Sequence, residues 1–277
     1  RNDCARSLGF RDHYAMALEL AELDEARLVA TLDDVERLTA GPFAAWKAAF
    51  DEHLARRFGC GTEELRPWHM PDTFFQEPPP LEEVDLDAHF ATTDVVALAR
   101  RTFEGIGLDV AAVLERSDLY PRERKSQHAF CIDIDRAGDV RVLANIVANE
   151  RWAETMLHEL GHAAYDLGID PTLPWFLHGP AHMLVTEAVA MMFGGLTRDS
   201  GWLGSVGGMD ADRVSDLAPA LAASRRAAGL VMARWMLVMC RFERELYRTP
   251  GADHDTRWWD LVEQIQLVRR PEGRHAP

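Results

Sequence analysis

The segment from Arg151 to Leu167 constrains the fold more than any other part of the chain. It contains His158-Glu159-Leu160-Gly161-His162, an H-E-x-x-H motif. Residues four apart on a helix lie one turn above each other, so a helix would place the two histidines on the same face. Apolar residues recur through the segment at the spacing of one helix face, namely Trp152, Met156, Leu160, Ala163 and Leu167. We therefore predict a helix from about Glu150 to Leu167.

This motif predicts a metal site. On one helix face both imidazoles can reach a single ion, and Glu159 would project beside them towards a water molecule on that ion. Zinc lowers the pKa of such a water to about 7, so a neighbouring carboxylate can take its proton as the water attacks a polarised carbonyl. We predict His158 and His162 as ligands of one Zn²⁺ and Glu159 as the catalytic base.

Glu187 is the predicted third ligand. It lies in a second predicted helix, from about Pro180 to Phe193, where Met183, Leu184 and Met191 flank it at helical spacing. An ionised carboxylate on an apolar stripe is costly unless it is paired or binds a metal, and no Lys or Arg lies within one turn. Metal ligation would remove that penalty.

The alternative is a motif that arose by chance. A chain of this length and histidine content would contain H-E-x-x-H in roughly a few per cent of cases. In that interpretation the motif lies on the surface, and Glu187 is protonated or paired with a distant cation. A chance motif does not by itself provide a third ligand in the next helix.

Other polar residues near the motif are candidates for supporting roles. His178 and His182 are four apart, but Gly179-Pro180 between them predicts a helix start rather than a second metal site. His182 is a candidate hydrogen-bond donor in the active site, or else a structural histidine. Glu154 and Asp166 lie one turn from a ligand histidine, so either could orient it or be a solvated charge.

The remaining pattern predicts a mainly α fold with one small β-hairpin beside the motif helix. Between residues 59 and 87 five prolines predict a long surface crossing, and from His128 to Ile146 alternating apolar residues around Ala137-Gly138-Asp139 predict the hairpin. Helical periodicity covers residues 13–38, 43–58, 93–106, 109–114 and 214–248. Without internal repeats, we treat residues 1–277 as one domain.

Composition excludes several classes of partner. The 45 acidic and 30 basic residues give a net charge of −15, which would repel nucleic acid. The four cysteines form no C-x-x-C pair and are expected to be free thiols.

The most apolar stretch, 227–240, is too short for a transmembrane segment. A soluble protein is expected, in either the cytoplasm or the periplasm, with the oligomeric state left open. The chain opens without Met, and we expect it to be incomplete at both ends.

The sequence resembles a known family, the angiotensin-converting-enzyme-like zinc peptidases and especially their bacterial relatives, gluzincins related to the thimet-type oligopeptidases. Four segments carry the resemblance: His128-Ala129-Phe130-Cys131, the motif helix, Pro180-Ala181-His182 to Thr186-Glu187-Ala188, and Trp258-Trp259-Asp260 to Pro271-Glu272-Gly273. It implies a helical catalytic domain around a deep channel, hydrolysis of short peptides, and release of dipeptides from the C-terminus as one form of that activity. It also implies the same three ligands and the same base.

The resemblance further implies that His128-Ala129 holds the substrate backbone, because that pair stands on the family's substrate-binding strand. The alternative is a plain structural hairpin with His128 in solvent. Met191 departs from the family, which usually has an acidic residue there to orient a ligand. The family's downstream histidine and tyrosines would follow Pro277, and losing such a donor costs about a hundredfold to a thousandfold in rate.

Three functions stay open at this stage. The first is a zinc peptidase acting on short peptides. The second is a catalytically impaired peptide-binding remnant, and the third is a zinc hydrolase of a non-peptide amide, because the motif specifies an activated water rather than a substrate.

Overall fold

The protein, described by a computed structural model over residues 1–77 and 85–276, is mainly helical. One antiparallel hairpin, β1 (Phe130–Asp133) and β2 (Val140–Leu143), accompanies the helices. The helices are α1 (Asn2–Ser7), α2 (His13–Leu20), α3 (Glu25–Phe58), α4 (Asp87–Phe90), α5 (Val95–Glu104), α6 (Ala111–Arg116), α7 (Glu150–Leu167), α8 (Met183–Gly194), α9 (Ser200–Ser205), α10 (Ala211–Arg248) and α11 (His254–Leu261). The predicted fold class, mainly α with one small hairpin, is confirmed.

The chain forms two compact units. The first comprises Arg1–Pro80 with Ala223–Pro277, and the second comprises Leu81–Ala222. Each unit has an apolar core, the first including Phe43 and Ile265 and the second including Phe103, Met156 and Leu160. All the predicted site residues belong to the second unit. The expectation of a single catalytic domain over residues 1–277 stays a prediction.

Two general expectations can be compared with the structure. The four cysteines, Cys4, Cys60, Cys131 and Cys240, are free thiols, as predicted. Over residues 1–77 and 85–276, no helix combines the length and the apolar character that a membrane crossing requires.

The start of α7 is fixed by a local hydrogen bond. Asn149 is extended, and its side chain accepts a hydrogen bond from the Trp152 backbone N–H at 2.9 Å, which satisfies one of the free donors of the first helical turn. The bounds of α7 match the prediction. Helix α8 begins three residues later than predicted because the chain is still extended at His182, with φ −141° and ψ 133°.

The predicted division of the N-terminal helices at residues 39–42 is wrong. Pro42 lies inside the continuous helix α3, where a proline removes one backbone hydrogen bond without ending the helix. The chain breaks instead at residues 21–24, where Glu22 has a φ of 56° and Asp24 caps α3. In the predicted crossing, residues 62–64 and 67–69 form short 3-10 helices, and Pro78, Pro79 and Pro80 lie outside the described residues.

The hairpin leaves β1 with a free edge. The far edge of β2 is occupied, because the Asp118 backbone N–H donates to the Val142 carbonyl at 3.0 Å and the Asp118 carbonyl accepts from the Ala144 N–H at 2.9 Å. Strand β1 pairs only with β2 within the described part of the chain. Phe130 and Ile132 are 44% and 47% exposed, so the apolar face of β1 points to solvent.

Close packing of α7 on α8 depends on Gly161. A Cβ atom at this position would lie 2.7 Å from the Ala190 Cα and 3.2 Å from the Phe193 ring. Such a contact with backbone cannot be relieved by rotating a side chain, so the separation of the two helices is set here. That separation places Glu187 relative to the motif histidines.

We expect Gly161→Ala to destabilise the protein by about 1–3 kcal/mol, because α8 would have to move away from α7. We also expect weaker metal binding, since α8 carries Glu187. Gly229→Ala in α10 is the matched control, because nothing lies within 4 Å of its added Cβ and the better helix propensity would give up to about 1 kcal/mol of stability. Urea unfolding of both variants measures the difference, and equal effects would refute the close-contact explanation.

Candidate metal centre

Helices α7 and α8 bring the three predicted ligands together. The His158 and His162 rings, one turn apart, have centroids 4.9 Å apart and planes at 83°. The Nε2 atom of each ring lies 3.6 Å from a different carboxylate oxygen of Glu187. One donor atom from each of the three residues can be chosen so that all lie within 4.8 Å of one another. Glu187 therefore faces both imidazoles, as the sequence predicts.

The donor set fits a divalent metal ion. Tetrahedral zinc, with bonds of about 2.0–2.2 Å to nitrogen and oxygen, holds its ligand atoms roughly 3.3 Å apart. The two distances of 3.6 Å are close to that value. Two imidazoles and one carboxylate also leave a fourth position open, as catalytic zinc sites do. The group could therefore hold a metal ion.

Thr186 orients one of the imidazoles. The Nδ1 atom of His162 lies 2.7 Å from Thr186 Oγ1. With Nε2 bound to a metal ion, the hydrogen of the neutral ring would be on Nδ1, which would donate it to this hydroxyl oxygen. Thr186 is only 3% exposed, so its hydroxyl is held by packing. The sequence offered Glu154 and Asp166 as candidates for this role, with a solvated charge as the alternative for either, and did not indicate Thr186. Its position directly before the third ligand was the available signal.

We expect Thr186→Val to weaken metal binding by about tenfold to a hundredfold, the usual effect of removing a hydrogen-bond partner from a ligand histidine. Valine has nearly the same shape but cannot accept the Nδ1 hydrogen. Thr186→Ser, which keeps the hydroxyl, should bind metal nearly as tightly as the unmodified protein. Competition against a chromophoric chelator gives both affinities, and equal affinities for the Val and Ser variants would exclude this role.

Glu159 lies beside the ligands but is shielded from solvent. It is 7% exposed and lies on the helix face turned towards β1. Burial, and then the negative charge of Glu187, raise the pKa of Glu159 to about 7, while the Cys131 backbone N–H acts in the opposite direction. The position of Glu159 suits the predicted role of base.

A cleft of about 490 Å³ contains the three ligands and Glu159. Asp133 and Asp166 line one part of it, and burial, followed by the charge of Asp133, raises the pKa of Asp166. The Oδ1 atom of Asp133 is buried, and no described residue gives it a hydrogen-bond partner. The Arg136 guanidinium, also in the lining, lies 4.8 Å from the centre of the Trp175 ring. The cleft is therefore predominantly acidic.

The predicted substrate-binding residues differ in their relation to the cleft. Ala129 lines it, whereas His128, which is exposed, and His182 are not among the described side chains that do. His178 lines the cleft, and its two ring nitrogens lie 2.6 and 2.7 Å from backbone carbonyl oxygens. Substrate binding by His128, Ala129 and His182 stays a prediction.

A scan against models of protein families found no match to this chain, and a search of curated proteins found no significant match. The resemblance to the converting-enzyme-like peptidases therefore stays a prediction from the quoted motifs. What the structure itself establishes is a mainly helical fold with a group of side chains that could hold a metal ion.

Proposed function

We propose that the protein is a zinc-dependent peptidase of short peptides, distantly related to the angiotensin-converting-enzyme-like family. One observation carries the proposal: the Glu187 carboxylate from α8 lies 3.6 Å from the Nε2 atoms of both motif histidines on α7. A chance motif on a helix surface would not have a third ligand at this distance. Glu159, buried next to the same ligands, supplies a base.

The zinc ion and the side chains would have different parts in the reaction. When bound, zinc would supply Lewis acidity, which makes a water molecule acidic near neutral pH and polarises a carbonyl group. His158, His162 and Glu187 would hold it, and Thr186 would keep His162 in the required tautomer. The Glu159 carboxylate would take the proton from the attacking water and return it to the leaving nitrogen.

The free edge of β1 favours a peptide as the substrate. Residues of β1 and Ala129, which precedes it, line the cleft that contains the ligands. An extended peptide can add to an unpaired strand edge through main-chain hydrogen bonds, whereas a small non-peptide amide lacks the repeating donors and acceptors. Release of dipeptides from the C-terminus is proposed from the resemblance alone.

Metal analysis and peptide hydrolysis together test the proposal. We expect one zinc per chain, cleavage of quenched fluorescent peptides, loss of cleavage with a chelator and recovery with stoichiometric zinc. Binding of peptides without cleavage by the zinc-loaded protein would identify a catalytically impaired peptide binder instead. Cleavage of non-peptide amides but of no peptide in a mixed panel of substrates would identify a zinc hydrolase of non-peptide amides. Absence of zinc binding would exclude both zinc hydrolases and leave only the peptide binder.

A further inference from the structure

One face of the hairpin presents a row of large apolar side chains at the metal cleft. Phe130, Ile132 and Ile134 form this apolar row and are all exposed, and Phe130 and Ile132 line the cleft together with the three ligands. We propose that the apolar row selects peptides that carry apolar side chains at two alternate positions, with one residue of any kind between them. The inference rests on the proposed function, because it takes the substrate to be an extended peptide beside β1.

The hydrogen bonds of the hairpin show which backbone groups of β1 are available to such a peptide. The Ile134 N–H donates to the Asp139 carbonyl at 3.1 Å, so residue 134 directs its backbone groups towards the returning chain. Residues that pair in this way alternate along an antiparallel strand with residues that do not. Cys131 and Asp133 therefore direct their backbone groups to the free edge. The Cys131 N–H faces Glu159, which leaves the Cys131 carbonyl and the Asp133 N–H and C=O for a peptide.

A peptide that pairs with these groups continues the sheet, and this fixes where its side chains lie. Successive side chains of a strand point to opposite faces, so every second one would lie on the face of the apolar row. Side chains directly opposite each other on neighbouring strands have Cβ atoms about 4.5–5.5 Å apart, which is close enough for apolar contact. Two residues of the peptide, with one between them, would therefore cover Phe130 and Ile132.

The exposure of the apolar row also favours a ligand at this edge. Natural proteins usually protect a free strand edge with charged side chains, with proline or with a covering segment, because an apolar edge pairs with other chains. The acidic residue of β1, Asp133, lies on the opposite face with Cys131 and so does not protect the apolar row. A peptide that covers Phe130 and Ile132 would remove their apolar surface from water.

Two peptides of identical composition test the inference on the zinc-loaded protein. One carries two valines at alternate positions, and the other carries the same two valines side by side, in a background of alanine and glutamine. Both pairs are moved along the peptide to cover every position relative to the scissile bond. In the best position, affinity and kcat/KM should be about twofold to fivefold higher for the alternating peptide, because it forms two apolar cross-strand pairs instead of one.

Two substitutions assign the preference to the apolar row. Ile132→Ser and Phe130→Ser each leave one apolar partner, so both peptides should then bind and react equally. Both side chains are exposed, so the fold should survive. Ile106→Ser is the control, because this exposed residue of the same unit does not line the cleft, and it should keep the preference.

The outcomes separate this inference from the peptidase function. Cleavage of both peptides without a preference, or a preference that survives both Ile132→Ser and Phe130→Ser, would overturn selection by the apolar row and leave the peptidase function in place. Preferential binding of the alternating peptide without cleavage would support the selection and contradict the peptidase function. Neither binding nor cleavage of any peptide would overturn both.

Discussion

Glu159→Gln is expected to leave bound zinc in place and to lower kcat by roughly a hundredfold to ten-thousandfold, the range that a general base contributes. Glutamine keeps the size of the side chain and fits the same buried position, but its amide cannot take a proton from water. Glu159 is not among the three clustered ligand residues, so metal binding should survive. Zinc content and kcat on a quenched peptide, measured on the same preparation, separate the two properties.

A matched control is available in the same unit. Glu115→Gln changes an exposed glutamate of α6 and should alter neither zinc content nor kcat. Two results would contradict the assignment of the base. If Glu159→Gln loses its zinc, the carboxylate acts as a ligand. If it keeps both zinc and near-normal kcat, another group accepts the proton.

Local sequence signals were sufficient to predict the motif helix. The apolar stripe of α7 gave its bounds correctly, and the four-residue spacing of the histidines implied that they share a face. The bounds of the N-terminal helices were wrong because they were taken from apolar periodicity over residues 13–38 and 43–58 alone. The break actually falls at Glu22 and Asp24, where backbone conformation and a side-chain cap act together.

Glu187 lies near both motif histidines, but the reason for which it was selected is wrong. Its side chain is 48% exposed, and the flanking Met183, Leu184 and Met191 are 66%, 70% and 52% exposed. The apolar stripe therefore does not bury the carboxylate, and the desolvation argument does not apply. Helical periodicity identifies which residues share a face, but only tertiary structure shows whether that face is covered.

Features that depend on distant residues could not be predicted. The Thr186 hydroxyl lies 24 positions along the chain from His162, and only the close approach of α8 at Gly161 brings the two side chains together. Lys47 and Val268 likewise line one cavity from opposite ends of the sequence. A single sequence shows which residues share a helix face, but it does not show which other part of the protein packs against that face.

Replacing Glu187, the predicted third ligand, is the most direct test of the metal site. Glu187→Ala removes a carboxylate that is half exposed and that lies 3.6 Å from the Nε2 atom of each motif histidine. The substitution should therefore leave the fold intact. Losing only the hydrogen-bond partner of a ligand weakens binding by about tenfold to a hundredfold, so losing the ligand itself should weaken zinc binding by more than about a hundredfold.

Zinc content and thermal unfolding both report this change. A ligand that binds only the folded state stabilises it by about 2.7 kcal/mol when present at a hundred times its Kd, so zinc should raise the Tm of the unmodified protein. At the same zinc concentration Glu187→Ala should show little or no rise. Met191→Ala, another exposed residue of α8, should keep the full rise. Stoichiometric zinc in Glu187→Ala would mean that the histidines use a different third group, and the observation that carries the peptidase proposal would then fail.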